Sequence, residues 1–543
     1  MPEQRYDAIL IGSGMGALAT ASILAQLEHK RALIVEQHFK AGGFTHTFRR
    51  NEYEWDVGLH YVGKMAVGGI FRAVMDYVTG GGVDWSRMPE VYDRIVFPEF
   101  GFDYRAGRSN LEADLVARFP REAKAISTYL RDIDKADGWI GRYLITQGMR
   151  PLARSLARLI RRGGTRLALT TTREYLERLT TDVRLRAVLG AQWGLYGLPP
   201  SVAPFASHAM LVKHYMEGGW YPVGGSGTLA AAVLPIIRRH GGDLWLNHRV
   251  DEILVQDGVA RGVSVTQRRG KENVTRTVYA DVIVSDAGAH STYMRLLPKD
   301  LDLAFREELR RFPAGCATVT VYLGLKADPT RLGLKGENYW IFTGNDHDVT
   351  YAQRNALLEG RASGVYVSFP SAKNPRAVHH TAELIAFADA APFAQWASLP
   401  WRERGADYQR TKDEIAATLI ALVDRHIAGF ADLVSFCEVS TPLSTEHFTE
   451  HRDGTIYGLP PVAEKFQAEW LGPRTPIRNV YLTGADAALF GVVGAMFSGA
   501  VTASVIMGRP WSLMRILSNA VRFSRAHHRR RSAASIEAGA AEN

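Results

Sequence analysis

Three stretches of this chain have residue types and spacings suited to chemistry. In "YDAILIGSGMGALATASILAQLEHKRALIVEQH", Gly12 and Gly14 permit a tight turn and the close approach of a pyrophosphate to backbone N–H groups. Ala17 takes the third position of G-x-G-x-x-G/A, where a small residue lets a helix pack on the preceding strand. Residues 32–35, "ALIV", read as the second strand, and Glu36 ends it in position to accept ribose hydroxyls. This is a dinucleotide site with its strand, helix and acid in order. The second stretch, "GGFTHTFRRNEYEWDVGLHYVG" (42–63), gathers paired glycines, two histidines and two tyrosines. Such side chains move protons when they reach a reacting group, and ordering them is costly unless something sits against them. The third, "NVYLTGADAALFGVVGAMFSGAVTASVIMG" (479–508), reads as strand, Gly-Ala-Asp, glycine-rich turn and a long helix of small residues.

These groups need elements to hold them. The chain has 543 residues, enough for about two to four domains. It is 46% hydrophobic and 22% charged, an ordinary globular composition. Cys316 and Cys437 are the only cysteines, which excludes a disulfide framework and a Cys-based metal site. Among the 17 histidines no H-x-x-H or His-plus-carboxylate spacing suggests a metal, so none is expected. The start lacks the basic and apolar regions of a signal peptide, and a cytoplasmic location is expected. Further strands are predicted at 243–265, a hairpin with an Asp-Gly turn at 257–258, and in "ADVIVSDAGAHS" (280–291). Strands are also predicted at 316–325 and 364–371, and an amphipathic helix at 407–427. The 487–508 segment is only just long enough for a membrane span, and its Gly, Ala and Ser content favours a buried domain helix.

The net charge of +9 is concentrated in Arg150–Arg166 and Arg515–Arg531, without the interleaved aromatics of a base-stacking groove, so no nucleic-acid partner is expected. In "RPLARSLARLIRRGG", Leu152, Leu156, Leu159 and Ile160 form one stripe, opposite Arg154, Arg158, Arg161 and Arg162. That pattern over 151–162 predicts a helix lying in a membrane interface, the alternative being a surface helix packed on the body. The 511–543 segment repeats the theme, with Leu513, Ile516, Leu517 and Ala520 on one face, followed by clustered Arg and a tail expected to be disordered.

The "AGG" at 41–43 resembles the glycines by which glutathione-reductase-type flavoproteins return to FAD. "YEWDVGLHYVG" (53–63), "FASHAMLVKHYMEGGWYPVGGSGTLAAAV" (205–233) and the 479–508 stretch together resemble the retinol saturase branch of the phytoene desaturase and carotenoid isomerase flavoproteins, over nearly the whole chain. The resemblance implies an α/β fold: a discontinuous Rossmann-like FAD-binding domain (1–65, 222–300 and 475–510) with an inserted mixed α+β substrate domain (66–221 and 301–474). It implies an FAD-dependent enzyme that acts on a conjugated or isoprenoid lipid, saturating a carbon–carbon double bond of a retinol-like or carotenoid substrate; the two basic amphipathic segments add the expectation of peripheral membrane binding. The alternatives are a carotenoid desaturase or isomerase on the same scaffold, or a lipid escort protein without redox work.

Cofactor contacts are then expected at Gly12, Gly14, Gly16, Ala17, Glu36, Gly42, Gly43, Val250, Gly484, Asp486, Gly491 and Val493. His60 and Tyr61 follow a glycine that in this family lies close to the isoalloxazine ring, and each is a candidate proton donor. His46 has a weaker claim. His214, Tyr215, Glu217 and Tyr221 are expected to line the substrate tunnel or hold the Gly218-Gly219 turn. Phe44 stands where many desaturases have a basic residue, with Arg49 and Arg50 as substitutes. No independent NAD(P)H domain is evident: electrons are expected from a separate reductase, or from NAD(P)H bound transiently at the flavin.

Overall fold

The computed structural model describes residues 5–149, 153, 163–269 and 272–541. Two seven-stranded sheets organise it. The first is built round the apolar strand Arg5–Ile11, which pairs in parallel with Ala32–Val35 on one side and Glu272–Ser285 on the other. Asp243–Trp245 extends the parallel set beyond Ala32–Val35, and Val480–Leu482 extends it beyond Glu272–Ser285. Strands buried on both faces read as continuous apolar runs, as "AILI" and "ALIV" do. His248–Gln256 and Val259–Arg269 add an antiparallel hairpin. Its turn has φ 51° at Asp257 and 70° at Gly258, the left-handed pair that an Asp-Gly turn supplies.

The small-residue helix Val492–Met507 crosses the helix Met15–Glu28 at close range. A Cβ on Gly499 would come within 2.5 Å of Gly16 O and 2.7 Å of Ala19 Cβ, so the glycine permits the approach. The helix is buried in the domain as the sequence predicted, and among the described residues no helix is long and apolar enough to cross a membrane.

The second sheet runs in the order Val434–Ser440, Thr318–Leu325, His380–Phe387, Gly364–Ser368, Asn338–Phe342, Val91–Val96, Gly101–Arg105. Its alternation sets two faces. Val319, Val321, Leu323, Val365, Val367 and Leu384 pack in one core with Ile415, Leu419 and Leu422 of the helix Gly405–Asp424. Thr318, Thr320, Tyr322, Trp340, Phe342, Tyr366, Ile385 and Phe387 point the other way and floor a cavity.

The segment 151–162, expected to be a membrane-interface helix, lies outside the described residues apart from Ala153. At the C-terminus the described residues include the helix Ser512–Ala541.

Candidate functional site

A cavity of about 350 Å³ runs from the N-terminal glycine loop to the aromatic face of the second sheet. Of the predicted cofactor residues, Gly12, Gly14, Glu36, Gly42, Gly43, Val250, Asp486 and Gly491 line it. Gly16, Ala17, Gly484 and Val493 do not; they hold the wall behind. A Cβ on Gly16 would overlap the Gly484 backbone N, and Val493 is buried in the core between helices.

The loop has the features a dinucleotide requires. Gly12 has φ 91°, and a Cβ on Gly43 would come within 3.1 Å of Gly14 Cα, so the two glycine turns close on each other. Gly491, φ 75°, sits at the N-terminus of the helix Val492–Met507 and lines the cavity. A Cβ there would meet nothing within 4 Å, so the cradle is open at the end where a helix dipole favours an electron-rich group. Glu36 accepts from Ser13 N (2.9 Å) and Ser13 Oγ (2.6 Å) on Oε2 and from His38 N (2.7 Å) on Oε1. A carboxylate has about four lone-pair sites, so capacity remains for a ribose hydroxyl. Burial raises the Glu36 pKa, against these hydrogen bonds. These residues fit FAD.

Asp486 also has structural partners. It reaches the cavity wall, but Oδ1 accepts from Leu459 N and Oδ2 from Ala289 N, both at 2.8 Å. The Lys465 ammonium lies 3.3 Å from Oδ1, so the carboxylate chiefly ties chain segments together. Arg49 and Arg50 pair with Glu54 and Glu438. Among the described residues, the Lys and Arg side chains that line the cavity are Lys40, Arg249, Arg295 and Arg354.

Asp286 was missed. It follows the central strand Glu272–Ser285, and its Oδ2 accepts from Ala17 N at 3.1 Å, capping the first helix from outside. Burial, with Glu36 and Asp486 nearby, pushes its pKa up to about 7. The signal was present in "IVSDAG": an acid at the carboxyl end of a strand beside the glycine loop.

The two strings that carried the family resemblance meet in space. Val62 and Trp220 exchange backbone hydrogen bonds of 2.9 and 2.8 Å. Asp56, fully buried, accepts from Ser226 N (2.7 Å), Ser226 Oγ (2.5 Å) and the Tyr221 hydroxyl. Gly63 N donates to His214 Nε2 at 2.8 Å; burial pushes the His214 pKa down to about 3, which keeps that nitrogen an acceptor. Tyr215 OH donates to Tyr61 O. His214, Tyr215 and Tyr221 thus hold the 53–63 segment in place and do not line the tunnel.

That segment delivers His60 to the cavity. His60 Nδ1 and Glu383 Oε2 share a hydrogen bond of 2.6 Å, and no hydrogen bond occupies Nε2 among the described residues. Tyr61 does not reach the cavity. Its ring stacks on Tyr215, and its hydroxyl donates to buried Asp93 at 2.7 Å. Burial and Asp93 raise the Tyr61 pKa well above 10, so the phenol stays protonated and structural. His46 lines the cavity beside the glycine loop, its Nδ1 donating to Gly43 O at 2.6 Å. Among the described residues no group of side chains is arranged to hold a metal ion.

Residues 10–78 match the model of an NAD(P)-binding Rossmann-like domain. The structure of putrescine oxidase with bound putrescine superposes over 94% of this chain and 100% of that chain with a TM-score of 0.61 at 16% identity, which shows the fold. Fold and site define an FAD-dependent oxidoreductase. In sequence, the all-trans-retinol 13,14-reductase of Danio rerio is 33% identical over 94% of this chain and 87% of that protein. The chloroplastic prolycopene isomerase of Arabidopsis thaliana is 24% identical over 92% and 82%. The chain belongs to the all-trans-retinol 13,14-reductase family.

Proposed function

We propose that this protein saturates a carbon–carbon double bond of an extended polyene lipid of the retinol or carotenoid type, with His60 as the proton donor. The observation that carries the reading is the continuity of one cavity from the glycine loops to the aromatic face of the second sheet, with His60 at the junction. FAD in its reduced form supplies the hydride. The chain's part is to orient, exclude water and deliver a proton. Trp340, Phe342, Tyr366 and Phe387 offer flat apolar surface to a planar polyene. His60 Nε2 delivers one proton to the carbon next to the one that takes hydride. The product gains two hydrogens, and the two electrons come from the flavin.

The test is anaerobic incubation of the reduced protein with all-trans-retinol and, separately, with a carotenoid, followed by mass measurement. A gain of two mass units with reoxidation of one flavin per turnover is expected. Loss of two mass units would replace the reading with desaturation. The prolycopene isomerase relationship gives isomerisation as the second reading, and its mark is altered geometry at unchanged mass. We further propose that electrons enter from NAD(P)H bound transiently near the flavin. Bleaching of the bound flavin by NADPH under anaerobic conditions is expected, and bleaching only on adding a separate reductase would assign the role to that partner.

We also propose that the protein sits on a membrane surface from which the lipid is drawn. Trp511 and Met514, 81% and 55% exposed, flank Leu513, which packs with Phe71 and Leu517 against one core cluster. Ile70 and Ile145, beside that cluster in sequence, are exposed as well. The basic segment 151–162 follows Ile145 by a few residues. Cosedimentation with anionic vesicles is expected to fall when Arg154, Arg158, Arg161 and Arg162 become Gln, and again with Trp511→Ala. Unchanged binding in both variants overturns the membrane assignment.

A further inference from the structure

His60 is held at two points, by Glu383 of the second sheet and by Lys373 of the short helix Pro370–Lys373. Its ring Nδ1 shares a hydrogen bond of 2.6 Å with Glu383 Oε2, and its main-chain carbonyl accepts from Lys373 Nζ at 3.0 Å. Glu383 belongs to the strand His380–Phe387, on the same face as Ile385 and Phe387, which floor the cavity. It is paired across strands with Tyr322 and Ser368. The residue is fully buried, and its Oε1 accepts no hydrogen bond among the described residues. A buried carboxylate with an idle oxygen costs stability, and such groups call for an explanation beyond packing.

The surroundings show what this carboxylate faces. Lys373, fully buried, donates to Asn338 Oδ1 (2.5 Å) and Ser368 Oγ (2.7 Å) as well as to His60 O. Asn338 in turn donates to Asp93 at 2.9 Å. Asp56 lies within electrostatic reach of both His60 and Glu383. Tyr366 packs against the His60 ring at 5.6 Å between centroids. Two of these groups, Glu383 and Lys373, bond to His60 directly, at opposite ends of the residue. A histidine on a glycine-flanked loop would otherwise rotate freely about its side-chain bonds. With Nδ1 anchored, ring rotation is blocked and Nε2 is the only nitrogen left to reach the cavity.

We propose that Glu383 is a positioning residue for His60, which fixes the ring in the orientation and tautomer that present Nε2 to the lipid. The inference rests on His60 being the proton donor. In the step, the bond from Nε2 to hydrogen breaks and a bond from hydrogen to substrate carbon forms. The Nδ1 hydrogen stays on the ring, bonded to Glu383. The ring is left as the neutral Nδ1–H tautomer, ready to take a proton again at Nε2. The reducing electrons come from reduced flavin, as in the reading above.

The experiment uses the flavin-loaded full chain. Glu383→Gln keeps the size of the side chain and removes its charge; its amide has no fixed preference for accepting from Nδ1. Bound flavin is expected to stay at wild-type occupancy and KM within about two-fold, while kcat falls by about ten-fold or more, within the range general acids supply. A merely structural role would move flavin occupancy and KM together with kcat. An independent measurement needs no variant: in protein labelled with ¹⁵N-histidine, with His60 assigned by its loss in His60→Gln, the neutral ring is expected as the Nδ1–H tautomer. A neutral ring protonated at Nε2, or a Glu383→Gln kcat within two-fold of wild type, overturns the positioning role. If His60→Gln itself turns over at the wild-type rate, the proton-donor reading fails and takes the inference with it. If His60→Gln is slow and Glu383→Gln is not, only the role of Glu383 falls.

Discussion

Gly63 and His214 touch so closely that no side chain fits between them: the Gly63 N–H donates to His214 Nε2 at 2.8 Å, and a Cβ on Gly63 would overlap the His214 carbonyl oxygen. The contact joins the loop that carries His60 to the end of the helix Phe205–Tyr215. Because the obstacle is backbone, no rotamer change relieves it. Gly63→Ala is expected to cost about 3 kcal/mol or more, at the upper end for overpacking. The measurements are thermal unfolding and flavin content; wild-type values in both would show that the loop is not pinned there.

Asp56 is the second clamp on that loop. It accepts from Ser226 N, Ser226 Oγ and Tyr221 OH in a fully buried pocket, and burial raises its pKa against those bonds. Tyr221→Phe removes one donor and leaves the ring in place. The expected cost is about 1–3 kcal/mol, that of an under-satisfied buried acceptor. Chemical denaturation measures it. A loss below about 0.5 kcal/mol would mean that the hydroxyl is not needed by the carboxylate.

How far the sequence led depends on whether the chemistry is local in the chain. The glycine loop, its two strands and Glu36 lie within residues 5–36, so one stretch displays the motif and its context. The hairpin turn at Asp257-Gly258 is legible for the same reason. His60 was legible as a candidate, because a family string contains it. Glu383 was not. In "HTAELIAF" it stands at an alternating position where a charged residue reads as solvent-facing, and only sheet pairing shows that this face floors a cavity. Lys373 and Asp93 were hidden likewise, since Asn338 links them from a third segment. Tyr61 misled for the opposite reason: adjacency to His60 suggested a shared task, but the alternation of an extended loop turns neighbouring side chains apart.

Asp286 supplies a pH dependence. Burial pushes its pKa up from 3.8 to about 7 in the folded protein. Between those values the folded state holds a proton that the unfolded chain has released, so stability falls as pH rises through this window. Glu36 and Asp56, also raised, add to the same slope. Asp286→Asn removes one proton from the linkage and can still accept from Ala17 N. Its stability is expected to fall less steeply between pH 5 and pH 7.5 than that of the wild type, by up to about one proton in the slope. Urea denaturation at several pH values measures this. Parallel curves for the two proteins would show that the carboxyl is ionised throughout.

Lys465 and Asp486 offer the strictest test of how the cavity wall is built. The Lys465 ammonium donates to Leu459 O (2.7 Å) and Ala485 O (3.2 Å) and lies 3.3 Å from Asp486 Oδ1, with both side chains buried. Burial lowers the Lys465 pKa, against the pull of Asp486. Lys465→Met would leave a buried carboxylate without its counter-charge and two carbonyls without a donor. Breaking such a pair from one side is expected to cost about 3–5 kcal/mol. Asp486→Asn keeps an acceptor for one backbone N–H and loses the charge. In the double variant the uncompensated charge is gone, so the combined loss is expected to be smaller than the sum by about 0.5–3 kcal/mol. Additive losses in denaturation would show that the two residues act separately. Flavin content, measured on the same four proteins, is expected to track the stability losses, because Asp486 uses its oxygens to hold the wall.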